Sequence, residues 1–455
     1  MIRRSLLTAA VALSVGFSFG LPTNFANADG HSFSDSDLGG ALTPVGAIRA
    51  GNEDGSIPEW TGGVTEPPVD YSAGGHHTFP FEKGEPLFTI TGSNADQYRD
   101  LLTEGHYQML QQYPSYSMPV YETHRTAAFP QRIYDETMAN AARGQLSEDG
   151  NGVLGAKEGF PFPVPETGLE VIWNHLLRFR GVAFERRVGQ ANPTAGGDYT
   201  MVFIEEQTFL PYSQPGGNGG DNILAYFQQF VVEPARLAGE VLLVHETLNQ
   251  VAVPRQAWTY NPGQRRVRRA PNVAYDNPGT AADGLRTTDN FDMFSGAPDR
   301  YQWELVGRKE MIVPYNAYAL HAPGVDYDEI IKAGHLNPDY LRYEKHRVWV
   351  VEATLKDGIS NIYSRRTFYI DEDSWNIVSI DHYDSRGDYW RLSESHGLNY
   401  YDVPVYYNTV DIVHDLQSGR YTAIGFNNNE WMIRYGQDYS RRNFTPEQLR
   451  RSVRR

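Results

Sequence analysis

The segment SEDGNGVLGAKE, Ser147–Glu158, spaces its oxygen-bearing side chains much as a calcium loop does. Asp149, Asn151 and Glu158 fall on ligand positions and Gly152 on the sharp turn, with Ser147 where the first aspartate belongs. Hard cations need such converging oxygens, but Gly159-Phe160-Pro161-Phe162-Pro163 follows, so no second helix is expected to complete the motif. The alternative is an Asx/Gly turn, which these residue types form without metal. AGNEDGSIPEWTGG, Ala50–Gly63, matches less well: Asn52, Asp54 and Gly55 are in register, but Ala50 and Thr61 leave both ends without a carboxylate. His76-His77 is an adjacent pair, and neighbouring side chains seldom reach one ion. His245-Glu246 opens like a zinc-protease helix, yet position 249 is Asn, so the second histidine is missing. Gly16-Phe17-Ser18-Phe19-Gly20 fits a nucleophile elbow only inside an apolar leader. Cysteine is absent, which removes thiol catalysis, disulfides and thiolate metal sites. No catalytic residue and no cofactor are assigned, and Asp149, Asn151 and Glu158 remain the calcium candidates.

Two other residue classes could bind rather than react. The chain holds 29 Tyr, 21 Phe and 8 Trp although its mean hydropathy is −0.51. Aromatic side chains favour strands and also line apolar pockets. Arg265, Arg266, Arg268 and Arg269 form a basic knot that could dock an anionic head group or an acidic partner. Pairing with acids on neighbouring strands, or simple solvation, is the commoner fate of such a cluster. The same holds for Arg450, Arg451, Arg454 and Arg455 in the tail.

The elements that must position these residues divide the chain. Residues 29–93 are rich in Gly, Pro and short polar runs and read as an extended arm. Asn94 can cap a helix running through Tyr98, Leu101, Leu102, His106 and Leu110, stopped by Tyr113-Pro114. A second short helix is expected over Glu136–Arg143, and a third from Gly168 to about Phe179. Beyond Gly181 short β-rich runs recur: Val182–Val188, Thr200–Phe209, Ile223–Val232, Val241–Thr247, Gln256–Tyr260, Arg266–Arg269, Tyr301–Lys309, Arg347–Leu355, Arg366–Ile370 and Ile377–Tyr383. Gly- and Asn-rich turns separate many of them, which predicts an antiparallel sheet, sandwich or barrel rather than a parallel α/β fold. A period of two puts Trp258 with Tyr260, Trp303 with Leu305, and Trp349 with Val351 on common strand faces. Thr445-Pro446-Glu447 starts a last helix.

Met1-Ile2-Arg3-Arg4, an apolar run to about Leu21 and Ala26-Asn27-Ala28 make a secretory signal peptide, cleaved near Ala28. Without cysteine the product is not a lipoprotein, and the expected location is the periplasm. A formal charge of −16 argues against general nucleic-acid binding.

Three stretches together carry a family resemblance: LTPVGAIRAGNEDGSIPEWTGG (Leu42–Gly63), GFPFPVPETGLEVIWNHLLRFRG (Gly159–Gly181), and RQAWTYNPGQRRVRRAP with YQWELVGRKEM in the β-rich half. In that order they resemble the proteobacterial family known as domain of unknown function 1329, itself similar to the LolA-like superfamily of periplasmic lipoprotein carriers and sensors. The resemblance implies an α+β, mainly β fold: a strongly curved antiparallel sheet, an incomplete barrel, with helices covering its concave face. That domain would span residues 94–455, with the helix after Gly168 as part of a lid. An apolar cavity under the lid would be walled by Trp173, Trp258, Tyr260, Trp303, Leu305, Trp349, Val351, Phe368 and Trp375. The implied function is non-enzymatic binding or carriage of a hydrophobic molecule, a lipid, acyl chain or lipidated protein. An inner-membrane exporter of the resistance-nodulation-division type is the implied handover partner. The alternative is an envelope sensor or interaction module that docks through Arg265–Arg269; a lipid or glycan hydrolase is the third class.

Overall fold

The computed structural model describes residues 33–217, 222–270 and 275–452. The expected signal peptide, the Gly16–Gly20 motif and Arg454-Arg455 lie outside the described residues. The described residues from Phe33 onward form one unit, so the described part of the Gly/Pro-rich arm is not a separate body.

Strands β1 (Phe88–Ile90) and β2 (Met118–Val120) and the small hairpin β3 (Gln145–Leu146) and β4 (Val153–Leu154) precede the main sheet. A first meander runs through β5 (Ala183–Ala191), β6 (Val202–Phe209), β7 (Ile223–Glu233), β8 (Val241–Thr247), β9 (Gln256–Asn261) and β10 (Arg266–Arg269). A second runs through β11 (Tyr301–Pro314), β12 (Tyr343–Leu355), β13 (Arg365–Asp371), β14 (Ile377–Tyr383), β15 (Tyr389–Tyr400), β16 (Val405–Asp415) and β17 (Arg420–Phe426), with β18 (Arg434–Tyr435) last. Antiparallel pairing of β17 and β18 with β5 fuses the two meanders. A single parallel bridge, Val120 to Tyr343, attaches β2. The sheet is strongly curved, with bulges after Leu305, His382, His396 and Ile424. β10 and β11 do not pair with each other, so it does not close into a barrel.

Five α-helices are described: α1 (Glu104–Gln112), α2 (Gln131–Ala141), α3 (Gly168–Leu177), α4 (Tyr327–Ile330) and α5 (Pro446–Ser452). The single helix expected from Asn94 to Leu110 is broken. A 3-10 turn spans Ala95–Leu101, and Thr103 starts α1 afresh by accepting from the His106 N–H at 3.1 Å. In α3, Thr167 and Glu170 exchange backbone and side-chain bonds as a capping box, and eight of ten residues are buried against β11 and β12. Helix α1 lies across β14 and β15, where the Gly105 N–H donates to Asp381 Oδ1 at 2.8 Å. Ile380 packs with the α3 cluster while its neighbour Asp381 meets α1, so the two helices cover opposite faces.

The arm is irregular but anchored. Leu42, Val45, Ala47 and Ile57 are buried. Its carbonyls are held from the body: Arg308 Nη2 donates to Gly46 O at 2.6 Å, Arg125 Nη2 to Ile48 O at 2.9 Å, Arg347 Nη1 to Ala50 O at 3.0 Å, and Trp375 Nε1 to Val45 O at 2.9 Å. Gly46 has φ +90°, and a Cβ there would sit 1.7 Å from Pro163 O, so only glycine fits. In the following turn, Asn52 Oδ1 accepts from Ile57 N–H and Asp54 Oδ1 from Ser56 N–H, at 2.8 and 2.9 Å. The second is an Asx-turn bond and the first spans the wider loop from Asn52 to Ile57, while Lys345 Nζ meets the other Asp54 oxygen at 3.0 Å. Trp60 packs edge-on to Tyr134 at 6.2 Å and stacks under Arg49.

Candidate functional site

Over β11–β14, α3 fills the sheet face. Over β5–β8 no helix among the described residues does so on that face, and a cavity of about 140 Å³ remains between the strands and the segment Pro278–Ser295. Register sets its floor. Phe184, Thr208, Phe227 and Val244 stand in one cross-strand row, and Glu206, Gln229 and Leu242 in the next. Residues two apart point to the same face, so these rows line the cavity while Leu243 and Tyr226 turn away from it. Leu210, Leu224 and Tyr407 close one side, and Phe291 forms part of the roof. Met293 and Phe294, both buried in the main core, pin that roof down.

Charged groups frame this apolar space. Arg178 and Arg180 share the carboxylate of Asp292. Arg186 Nε meets Glu206 Oε2 at 2.6 Å, and Gln229 Nε2 donates to the other Glu206 oxygen at 3.2 Å. Arg255 Nε meets Glu246 Oε2 at 2.6 Å. Burial pushes Glu246 and, near Arg186, Asp411 above the usual carboxylate range, and Arg255 and Arg186 respectively pull them back. Arg286 differs. It is 5% exposed, and no carboxylate lies within 4 Å of it among the described residues. Its Nε has no hydrogen-bond partner, and Phe291 stacks beside it at 5.6 Å. Burial pulls its pKa down, opposed by the more distant Asp411 and Glu206.

A family model described as protein of unknown function DUF1329 matches residues 89–450. The uncharacterized protein PA3922 of Pseudomonas aeruginosa is 52% identical over 420 residues, covering 91% of this chain and 92% of that one. The chain belongs to the DUF1329 family. A DUF1329 family protein from Desulfovibrio piger has a similar backbone at 16% identity and TM-score 0.42, over 59% of this chain and 92% of the other. A LolA superfamily protein from Nitrosomonas europaea aligns at 14% identity and TM-score 0.37, over 61% of this chain and 97% of the other.

None of the nine aromatic and aliphatic residues read from the sequence as cavity walls lines the cavity of this DUF1329 protein. Trp173, Leu305, Trp349, Val351, Phe368 and Trp375 are buried in the main core, with Trp303 packed against it. Trp349 stacks on Trp375 at 6.1 Å, and Trp303 and Phe368 flank Phe294. Trp258 and Tyr260 pair with Leu243 and Val241, the face opposite the cavity, in a separate cluster that includes Leu449 of α5. Periodicity assigns residues to a strand face; it does not say where α3 leaves that face unfilled.

The metal candidates disperse in the same way. Asp149 accepts from Ser147 Oγ and Asn151 N–H at 2.6 and 3.0 Å within its own hairpin turn. Glu158 instead pairs with Arg132 and accepts from Gly216 N–H at 2.9 Å. His76 reaches Asn427 O and His77 reaches Asp402, at 2.9 and 2.7 Å, so the pair does not converge. His245 contacts Phe444 O while Glu246 points into the cavity, as adjacent strand residues must. Arg265, Arg266, Arg268 and Arg269 are exposed on the last hairpin, and β10 is an edge strand. Charge on an edge discourages strand addition by another chain.

Two buried polar clusters escaped the sequence reading. Glu394 on β15 accepts from His106 Nε2 and Tyr343 OH, both at 2.9 Å, and lies 3.2 Å from His414 Nε2. These bonds hold the Glu394 carboxyl well below its ordinary value in spite of burial. At the β13–β14 turn, His346, Asp371 and Asp373 come within 4.8 Å of one another, close enough in principle for an ion. Arg125 already occupies both Asp373 oxygens at 2.8 and 2.7 Å, and Tyr315 and Ser374 donate to Asp371. An internal cation therefore pairs with Asp373, while burial and the Asp373 charge push Asp371 up to about 6. The alternation of Glu394 with His396, and the run Asp371-Glu372-Asp373, were the available signals.

Proposed function

We propose that this protein is a non-enzymatic periplasmic binding or carrier protein for a molecule with an apolar chain, held between β5–β8 and the segment Pro278–Ser295. One observation carries the reading: the sheet face is filled by α3 over one half and left with an apolar-walled cavity over the other. Among the described residues, the cover of that cavity has no α-helix or strand and one short 3-10 turn, at Thr288–Asn290.

Size limits the cargo. A volume of about 140 Å³ is close to that of an apolar cavity that admits benzene, about 150 Å³. The end of a single chain fits; a triacylated protein would require the cover to move away. Burying roughly six methylenes at about 0.8 kcal/mol each contributes about 5 kcal/mol, which corresponds to a Kd near 0.2 mM before ordering costs. Carriage at lower concentration requires either more chain along the mouth or a specific contact to the head of the molecule. In this reading the handover partner is an inner-membrane exporter of the resistance-nodulation-division type, as the family resemblance implies.

The test is purification of the exported chain, solvent extraction and mass spectrometry, followed by displacement of an apolar fluorescent probe. A stoichiometric single-chain lipid, or displacement by one, supports the proposal. Neither, in a folded preparation, rejects it.

The exposed arginines on edge strand β10, with no ion-pair partner among the described residues, favour a second reading, an interaction module that docks an acidic protein. Reversing Arg266 and Arg268 to Glu abolishes partner capture and spares probe binding if that reading holds.

A further inference from the structure

We infer that the cavity selects a single-chain carboxylic acid, and that Arg286 is the residue that meets its carboxylate. The inference rests on the cavity being a ligand site and adds the chemistry of the head group.

The buried arginines around the cavity are otherwise paired. Arg178 and Arg180 contact Asp292, Arg186 contacts Glu206, and Arg255 contacts Glu246. Arg286 lines the same cavity, is 5% exposed, and has no such partner among the described residues. With Asp411 included as the remaining buried acid of the group, five guanidinium groups face four carboxylates. The surroundings therefore carry one positive charge in excess, inside a protein whose formal charge is −16. A buried, unpaired charge is strongly disfavoured, and a bound counter-anion removes the penalty.

The geometry suits a carboxylate. A guanidinium presents a planar fork that matches two carboxylate oxygens. Gly279 stands over the flat face of the Arg286 guanidinium, where a Cβ would come within 3.0–3.2 Å of its carbon and both terminal nitrogens; the missing side chain leaves room for the planar group. The opposite wall, Phe227, Leu242 and Val244, offers no hydrogen bond and suits a hydrocarbon tail. One excess charge also argues for a monoanion. A phosphate monoester would bring a second negative charge next to Glu206 and Glu246, whose own arginines are already engaged. An esterified acyl chain has no charge to offer Arg286.

The experiment uses the full exported chain, stripped of lipid, in calorimetric or probe-displacement titrations. Octanoic and dodecanoic acids are compared with the alcohols of equal length and with the corresponding alkyl phosphates, on wild type, Arg286→Gln, Arg286→Lys and Val244→Trp. The expected result is that wild type prefers acid to alcohol by about tenfold or more. Arg286→Gln should abolish that preference and leave alcohol binding within about threefold, and Arg286→Lys should retain part of it. Equal binding of acid and alcohol by wild type, or a preference that survives Arg286→Gln, overturns the role of Arg286 and leaves the carrier reading intact. A stronger preference for alkyl phosphate overturns the choice of carboxylate. Failure of every amphiphile to bind wild type overturns the carrier reading itself, and with it this inference. The acid-to-alcohol comparison on wild type decides the matter even if Arg286→Gln does not fold.

Discussion

Replacing Arg125 by Met should cost about 4 kcal/mol of stability at neutral pH, and the cost should shrink in acid. Arg125 lies between the arm and the β13–β14 turn and is 7% exposed. Its guanidinium grips Asp373 at 2.8 and 2.7 Å and the carbonyls of Ile48, Arg49 and Pro58 at 2.9, 3.2 and 3.3 Å. Met keeps much of the volume and removes every one of these bonds. Asp373 is then a buried carboxylate without a cation, and breaking such a pair costs about 3–5 kcal/mol. The upper limit is set by proton uptake. Neutralising the acid costs about 1.4 kcal/mol for each pH unit above its ordinary 3.9 or so, hence about 4 kcal/mol at pH 7 and about 1.5 kcal/mol at pH 5. The sign follows from linkage: in the variant the folded-state pKa of Asp373 is raised, so the variant regains stability as pH falls toward the unfolded value. Urea unfolding followed by tryptophan fluorescence at pH 7 and pH 5 measures both numbers. Thermal melting should shift by roughly 1 °C per kcal/mol for a unit of this size. Adding Asp373→Asn should recover most of the loss at pH 7. A penalty under about 1 kcal/mol at pH 7, or one that does not change between pH 7 and 5, would refute the view that this ion pair clamps the arm.

Three further outcomes are expected. His396 is fully buried on β15, and burial lowers its pKa to about 4. Its neutral form supports the fold above about pH 6.5, so wild type should lose about 2 kcal/mol more than His396→Gln between pH 7.5 and 5; parallel pH profiles in urea would contradict this. Gly46→Ala places a methyl group 1.7 Å from Pro163 O at φ +90° and should cost roughly 2–4 kcal/mol, read as a lower melting temperature together with faster protease cleavage of the arm. Val244→Trp, which fills the cavity, should abolish displacement of an apolar probe, whereas Trp258→Ala, on the opposite face, should leave it unchanged; the reverse pattern would return the ligand site to the aromatic strand β9.

Much of the architecture was legible in the sequence where one side of an element faces water or a helix end carries a cap. Thr167 and Glu170 mark α3 because a capping box is a local device. The strands from β5 to β14 were found because residues of their type punctuated by turns are strand signals. Strands β15, β16 and β17 were not, although they lie in the middle of the sheet. Both of their faces are covered, so Ser393, Glu394, Ser395, His396 and Asn399 are buried beside Leu392 and Leu398 and no polar alternation survives. The break between the 3-10 turn and α1 was missed as well, because Thr103 acts as a cap only once Gly105 packs on Asp381.

The sequence by itself determined the mainly β character and the absence of thiol chemistry, since each rests on residue type and local spacing, while the family and the open sheet followed from the resemblance carried by Leu42–Gly63, Gly159–Gly181 and the β-rich half. Where the cavity lies was decided by the tertiary structure. The tryptophans attracted attention as walls because large aromatic side chains fit pockets, but for the same reason they fill space, and α3 packs most of them into a closed core. The gap was left where Thr208, Phe227 and Val244 align across three consecutive strands beneath the segment Pro278–Ser295. Arg286, a cation with no ion-pair partner among the described residues, comes from a segment with almost no regular structure of its own. Whether a buried arginine has a partner depends on distances between chain segments remote in sequence, and no spacing along one segment encodes them.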